Sequence, residues 1–286
     1  MASYNIFCYN QLLVEGCFLK LIAFDLDDTL LLDDLSISDY SVSVLNRLHQ
    51  DGHIIVPASG RAKDSMISFV KRIGCASYYI SCNGAEIWDA RDDSLITSEV
   101  FSVETGKRIA AFGRDHDCYS QTYAGDSFFY SVRSKYADLY AASSMLKGVF
   151  VGDLVEFINE PRSKILMMDS VAKISSLLAE ARSEFSGEAS ITCSKPYFLE
   201  FNPINASKGK ALARLCEMTG MDMSDVIAFG DSLNDLSMLT AAGLGVAMGN
   251  AREDVKVQCA DICGTNMEDG VALYLDRLFF QAEEKK

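Results

Sequence analysis

An α/β fold is predicted: a doubly wound, parallel-sheet (Rossmann-like) core interrupted by an inserted α/β domain. Three observations predict it. Short, continuously apolar runs alternate with helical stretches between residues 20 and 82. The same alternation returns after residue 200, and the stretch between has a different, aromatic-rich character. A chain of 286 residues is also long enough for two domains, or for one domain with a large insert.

Each element has a local reason. The run KLIAF at 20–24 is continuously apolar after its lysine and ends at acidic residues, as suits a parallel strand buried on both faces. Ser38 can cap a helix running to about Gln50, with Leu45 and Leu48 on one face and Gly52 as its stop. A second strand is read at 53–58, a helix from about 61 to 73 closed by Gly74, and a third strand at 78–82 ending at Asn83-Gly84. Past the middle, a helix from 207 to about 219 stops at Gly220. A buried strand follows at 225–229, then a helix at 235–242 and a strand at 245–248. Strands alternating with helices through short loops imply a parallel sheet.

The middle, 86–199, is rich in rings: Tyr119, Tyr123, Phe128, Phe129, Tyr130, Tyr136 and Tyr140. Strand-like runs at 164–168 and 189–193, with a helix at about 171–185, make it an inserted α/β domain. The core is then 19–85 together with 200–286. The rings are read chiefly as packing on a sheet surface, with stacking at a substrate entrance as the alternative. Residues 1–18 form an N-terminal extension that holds Glu15 and no Lys or Arg, so it lacks the basic start of a signal peptide.

Composition excludes several classes. With 49% hydrophobic residues the chain can bury enough surface to fold, which argues against disorder. A formal charge of −14 repels phosphodiester backbones and anionic bilayers, so neither nucleic acid nor membrane is expected as a partner. No apolar run is long enough to cross a bilayer. The 9 cysteines are scattered, and Cys259 and Cys263 have no histidine nearby. They read as buried thiols of a cytoplasmic protein, not as a zinc site.

Four segments carry chemistry. In FDLDDTL, directly after the first strand, Asp25 and Asp27 stand at i and i+2 and can face one pocket. Ligands of open α/β sheets bind at that edge. Carboxylates this close repel unless a cation joins them, and Mg²⁺ is the natural choice, being hard and oxygen-seeking. In FGDSLND, after another buried strand, Asp231 and Asp235 repeat the pattern, with Gly230 for the turn. In ASGR, Ser59 and Gly60 stand at a strand-to-helix junction whose backbone N–H groups can hold phosphate oxygens. Arg61 beside them could serve the helix start or reach the pocket. In SKG, Lys208 opens a helix, where a cation is disfavoured by the dipole unless it reaches an anion. Taken singly, each segment also reads as a capping turn; two acidic turns on one sheet edge read as a metal site.

In this order, the four segments resemble the motifs of the haloacid dehalogenase-like (HAD) superfamily of phosphohydrolases. NGAEI at 83–87, FLEF at 198–201 and VAMGNA at 246–251 are similar to its Cof-type branch. The resemblance covers about 19–280. It implies a phosphatase in which Asp25 is the nucleophile and forms an aspartyl-phosphate. It implies that Asp27 protonates the leaving oxygen and then activates water. Ser59, Gly60, Lys208 and Asn234 would bind the phosphoryl group. Mg²⁺ would be held by the Asp25 side chain, the Asp27 carbonyl and Asp231, with Asp235 close by. The insert would be the cap, and the substrate a small phosphorylated metabolite, sugar phosphates first. Asp28 stands where many relatives have glycine.

Other readings have less behind them. Dehalogenases of the same fold need neither metal nor the second aspartate, yet Asp27, Asp231 and Asp235 are all present. A phosphosugar mutase shares the motifs and stays open. A non-catalytic binding protein is expected to have lost one of Asp25, Asp27, Lys208 or Asp231. The glycines at 243–249 precede a strand instead of following one, so they do not make a dinucleotide-binding turn.

Overall fold

The structure, a computed structural model, describes residues 19–281; the N-terminal extension lies outside the described residues. In chain order the elements are β1 (Leu21–Phe24), α1 (Asp39–Gln50), β2 (Ile54–Pro57), α2 (Lys63–Ile73), β3 (Tyr78–Ser81), β4 (Glu86–Asp89), β5 (Leu95–Ser98) and α3 (Val103–Asp115). There follow β6 (Tyr119–Ala124), β7 (Ser127–Tyr130), α4 (Lys135–Ser144), β8 (Lys147–Phe150), β9 (Ile165–Met168), α5 (Val171–Glu184), β10 (Ala189–Thr192) and β11 (Phe198–Pro203). The chain ends with α6 (Lys208–Thr219), β12 (Val226–Gly230), α7 (Leu236–Ala241), β13 (Leu244–Ala247), β14 (Asp261–Ile262) and α8 (Gly270–Phe279).

Five strands form a parallel sheet in the order β14-β13-β12-β1-β2. All four residues of β1 are fully buried, as the continuous apolar run requires of a strand covered on both faces. Register decides where the chemistry falls. Phe24 pairs with Phe229 on one side and Pro57 on the other, so β12, β1 and β2 end level. Asp25, Asp231 and Ser59 therefore leave the sheet at one edge. Ser38 caps α1 through Ser41 N, and Gly74 closes α2 in the left-handed region (φ 74°).

The predicted third strand lies parallel beside β2, through a bridge from Ile80 to Ala58 and hydrogen bonds from Ser77 N to the Ile55 carbonyl and from Ser59 N to the Ile80 carbonyl, both at 2.9 Å. Its full ladder is antiparallel with β4, and β4 pairs with β5, an addition not anticipated from sequence. Ile87 of β4 is buried in the core's own cluster, with Trp88 and Ile96 packed on it. The stretch 86–98, read from sequence as the start of the insert, thus packs on the core. At the other border, β11 runs through residue 200 and stays in the insert's sheet to Pro203.

That second sheet has the order β10-β11-β9-β6-β7-β8, with β7-β8 as its parallel pair. Alternation sorts its residues onto two faces. Ile165, Met167, Leu199 and Phe201 point to one side, where they pack with Ile109 and Phe112 of α3 and Ile174 and Leu177 of α5. Tyr119, Tyr123, Leu166 and Met168 point to the other, where they join Tyr140 of α4 and Ala62, Cys82 and Ala206 of the core. The aromatic face of the insert is therefore seated on the core.

Candidate active site

Between the two bodies lies a cavity of about 70 Å³, lined from the core by Asp25, Asp27, Asp28, Ser59, Gly60, Asp231 and Asn234. From the insert it is lined by Tyr140, Ser143, Lys164, Lys195, Phe198 and Glu200, among others. The floor is an acidic cluster. One oxygen from each of Asp25, Asp231 and Asp235 lies within 4.8 Å of the others.

Lys208 answers the unusual position predicted for it. From the first residue of α6 its ammonium reaches back to Asp25 Oδ1 at 2.9 Å and Asp235 Oδ1 at 2.6 Å, with no solvent exposure. Gly209 is needed beside it, because a Cβ there would lie 2.1 Å from the Ser237 carbonyl. The helix start pays the dipole term and recovers more from two charge-assisted contacts. Asp235 Oδ2 in turn accepts from Asp231 N and Ser232 N, both at 3.0 Å, which fixes the turn carrying Asp231.

One lysine does not balance three carboxylates. Burial raises the Asp25 pKa well above the usual range, Asp235 adds to the rise, and Lys208 offsets part of it. Asp231 is pushed up to about 8 by burial, then by Asp235 and Asp28. Lys208 is held charged: burial opposes its charge, but Asp235 and Asp25 outweigh burial. Both contacts of Asp25 fall on Oδ1, from Leu26 N at 2.7 Å and from Lys208, so Oδ2 has no hydrogen-bond donor among the described residues. A hard cation fits here, because the donors are all oxygen and carry surplus negative charge.

Asp27 is neutralised differently. Its carboxylate accepts a fork from Arg61, Nη2 to Oδ1 at 2.7 Å and Nε to Oδ2 at 2.8 Å. Burial would raise its pKa, but the Arg61 hydrogen bonds and charge outweigh it, helped by Lys195 and Lys208, and the net shift is downward. The i, i+2 spacing does bring Asp25 and Asp27 to one cavity. It does not bring their carboxylates into one cluster: the acidic cluster holds Asp231 and Asp235 with Asp25, while the Asp27 side chain is paired with Arg61.

The sequence-derived phosphate ligands all stand at this site, in different states. Ser59 is buried and its hydroxyl accepts from Arg61 N at 3.1 Å. A Cβ on Gly60 would come within 2.8 Å of Asn83 Oδ1, so only glycine fits there without a shift. Asn234 donates to Asn83 Oδ1 at 3.0 Å, and its own Oδ1 is buried without a hydrogen-bond partner. Lys208 lies beneath the floor and does not line the cavity.

The insert supplies what the motifs did not. Lys164 and Glu200 form a buried ion pair. Lys164 Nζ also donates to the Gly60 carbonyl at 2.7 Å, and Glu200 Oε2 accepts from Ser194 N at 2.9 Å. Lys195 is half-buried over Asp27 and Asp28. The alternation in FLEFNP was the signal: Leu199 and Phe201 face the insert's core, so Glu200 and Asn202 must point the other way, into the junction. Of the rings, Tyr140 and Phe198 reach the cavity, while Tyr119, Tyr123 and Phe128 are packing. His53 is a buried acceptor for Lys20 N at 3.0 Å, with no part in the site.

A doubly wound sheet with acids and a lysine gathered at its carboxyl edge, closed by an inserted sheet, defines a phosphohydrolase-type α/β enzyme. Comparison with known proteins makes the class specific. The model for haloacid dehalogenase-like hydrolases matches residues 22–275. A 5-amino-6-(5-phospho-D-ribitylamino)uracil phosphatase of Bacillus subtilis is 33% identical over 260 residues, 90% of this chain and 95% of that protein. A pyridoxal phosphate phosphatase of Escherichia coli is 26% identical over 268 residues, 90% of this chain and 97% of that one. The crystal structure of a haloacid dehalogenase-like hydrolase from Bacteroides thetaiotaomicron superposes with a TM-score of 0.82 at 32% identity, covering 92% of this chain and all of that one. The chain belongs to the haloacid dehalogenase-like hydrolases and is a phosphatase of that superfamily.

Proposed function

We propose that the enzyme is a Mg²⁺-dependent phosphatase of small phosphorylated metabolites that works through an aspartyl-phosphate on Asp25. The observation that carries this is Asp25 itself: buried at the end of β1, held by Lys208 through Oδ1, with no donor to Oδ2 among the described residues. In the first step Asp25 Oδ2 attacks phosphorus, the bond from phosphorus to the ester oxygen breaks, and that oxygen takes a proton from Asp27. Asp27 must first take that proton from solvent and leave the Arg61 fork, which favours its ionised form. In the second, water attacks phosphorus and gives its proton to Asp27, and the bond to Asp25 breaks to release phosphate. Ser59, the Gly60 backbone and Asn234 would bind the phosphoryl oxygens, and Lys208 holds Asp25 in line. Asp25, Asp231 and the Asp27 carbonyl would hold Mg²⁺, with Asp235 behind them; bound there it neutralises charge on the transferring group.

Sugar phosphates are the leading substrate class. Both named relatives act on phosphate esters of small organic molecules, one bearing a phosphorylated ribityl chain. Tyr140 and Phe198 offer ring faces for such a leaving group, and Lys195 offers a cation. The free thiols among the described residues fit a cytoplasmic setting, and no described helix is long and apolar enough to cross a membrane. Phosphate release from a panel of sugar phosphates, nucleotides and an aryl phosphate, with Mg²⁺ and with EDTA, tests the reading. Metal-dependent release supports it; a folded protein that releases phosphate from none of them contradicts it.

A further inference from the structure

Asn83 follows β3 and is buried, with its backbone in the left-handed region (φ 56°) that asparagine tolerates better than most residues. It joins two turns that the sheet keeps apart, one after β2 and one after β12, with β1 between them. Its backbone N donates to the Ser59 carbonyl at 3.0 Å, and its Oδ1 accepts from Asn234 Nδ2 at 3.0 Å. Its Nδ2 faces two acceptors, Glu200 Oε1 and Asn202 Oδ1, both at 3.4 Å. Glu200 decides which way this amide points. Ion-paired with Lys164, it can only accept, so Asn83 must turn its nitrogen toward Glu200 and its oxygen toward Asn234. Turning Asn202 over would not release Asn83, because the carboxylate stays. Asn234 must then offer its own nitrogen to Asn83. That nitrogen carries a second hydrogen with no acceptor among the described residues, and Asn234 lines the cavity.

We propose that Asn83 is a positioning residue for phosphate binding: its carboxamide oxygen holds Asn234 with the Nδ2 edge, not the Oδ1 edge, toward the phosphoryl group. This rests on the phosphatase reading above. Asn234 Oδ1 is buried without a donor, so no other described residue fixes the orientation of that amide. Released from Asn83, the amide can turn over and present an oxygen to the phosphate oxygens, which repels where a donor attracts.

The test reads the inhibition constant of inorganic phosphate against p-nitrophenyl phosphate hydrolysis in Mg²⁺. Asn83→Gly removes the carboxamide yet suits the left-handed backbone. It is expected to weaken phosphate binding by about tenfold or more, the scale of a lost hydrogen bond to a charged group. Asn234→Ala should cost a similar factor, and the double variant no more than the larger single loss, because Asn83 acts only through Asn234. For a variant too slow to assay, the rise of melting temperature with phosphate gives the same constant. A merely structural Asn83 gives losses that multiply, and that result overturns the inference. An unchanged constant in Asn83→Gly, or a wild-type enzyme that phosphate does not inhibit, overturns it too. Asn83→Ala and Asn234→Ser repeat the cycle should a first variant fail to fold. Failure of both changes at either position assigns the pair to the fold and overturns the inference. All these outcomes leave the phosphatase reading intact. A wild-type protein that releases phosphate from no ester overturns that reading, and this inference with it.

Discussion

Two buried lysines lie on opposite sides of the cavity in unequal company. Lys164, on the insert, meets one carboxylate, Glu200, and the two close a balanced pair completed by the Gly60 carbonyl and the Ser194 amide. Lys208, on the core, meets Asp25 and Asp235 directly and feels Asp231 beyond them. The consequence shows in the acids. Glu200 would be raised by burial but is lowered on balance by Lys164 and Ser194, whereas Asp25 and Asp231 are raised. A balanced pair supports the junction; an unbalanced one leaves acids ready for a metal, a proton or a phosphorus atom.

The sharpest way to break this contrast is to remove the nucleophile. Asp25→Asn is expected to cut turnover by roughly 10⁴-fold or more, read as phosphate release. Its melting temperature in metal-free buffer should not fall, because one of the surplus charges is gone. Exchanging the lysines comes next. Either Lys→Met change leaves a buried carboxylate alone, at a cost of about 3–5 kcal/mol in urea unfolding. Lys208→Met should also lose turnover by about two orders of magnitude or more, as removal of a key electrostatic donor does. Lys164→Met, measured per folded molecule, should lose much less. Similar turnover losses for both would erase the distinction.

Metal binding gives a smaller effect. Mg²⁺ at about a hundred times its dissociation constant should stabilise the native state by about 2.7 kcal/mol, a rise of several degrees by scanning calorimetry. Asp231→Asn should weaken that rise, and Glu200→Gln should not. The stability of the metal-free protein should also depend on pH. The folded-state pKa of Asp231, about 8, is above its unfolded value. Its contribution to stability is therefore full below about pH 4 and is lost as pH rises through about 8. Glu200 is shifted the other way, so its contribution is present above the ordinary glutamate range and lost as pH falls. Stability in EDTA should decline toward pH 8, and Asp231→Asn should make that limb shallower, Asp25 keeping part of it, while sparing the acid one.

The core half of the site was legible because strand ends are local. KLIAF followed by Asp25, and VIAFG followed by Asp231, announce the buried strand and the carboxylate within ten residues, and a lysine opening a helix announces an anion. Register did the rest, and register follows from apolar runs that admit one pairing. The insert half was not legible in this way. Lys164 and Glu200 are 36 residues apart and sit in runs whose apolar neighbours dominate the pattern. Arg61 was visible but ambiguous, since its partners Asp27 and Ser143 are 34 and 82 residues away. The antiparallel β3–β4–β5 ladder was missed for a related reason: strand–helix–strand spacing places β3 beside β2 but says nothing of a further partner on its other side.

The central claim is that the unbalanced cluster delivers a nucleophile, Asp25, to phosphorus. It is tested most directly by acid-quenching the wild-type enzyme during turnover of a sugar phosphate and locating the phosphoryl adduct by peptide mass spectrometry. The account predicts one adduct, on the peptide carrying Asp25, present with Mg²⁺ and absent in Asp25→Asn. Turnover with no adduct on that peptide, together with an Asp25→Asn enzyme working at the wild-type rate, would contradict it.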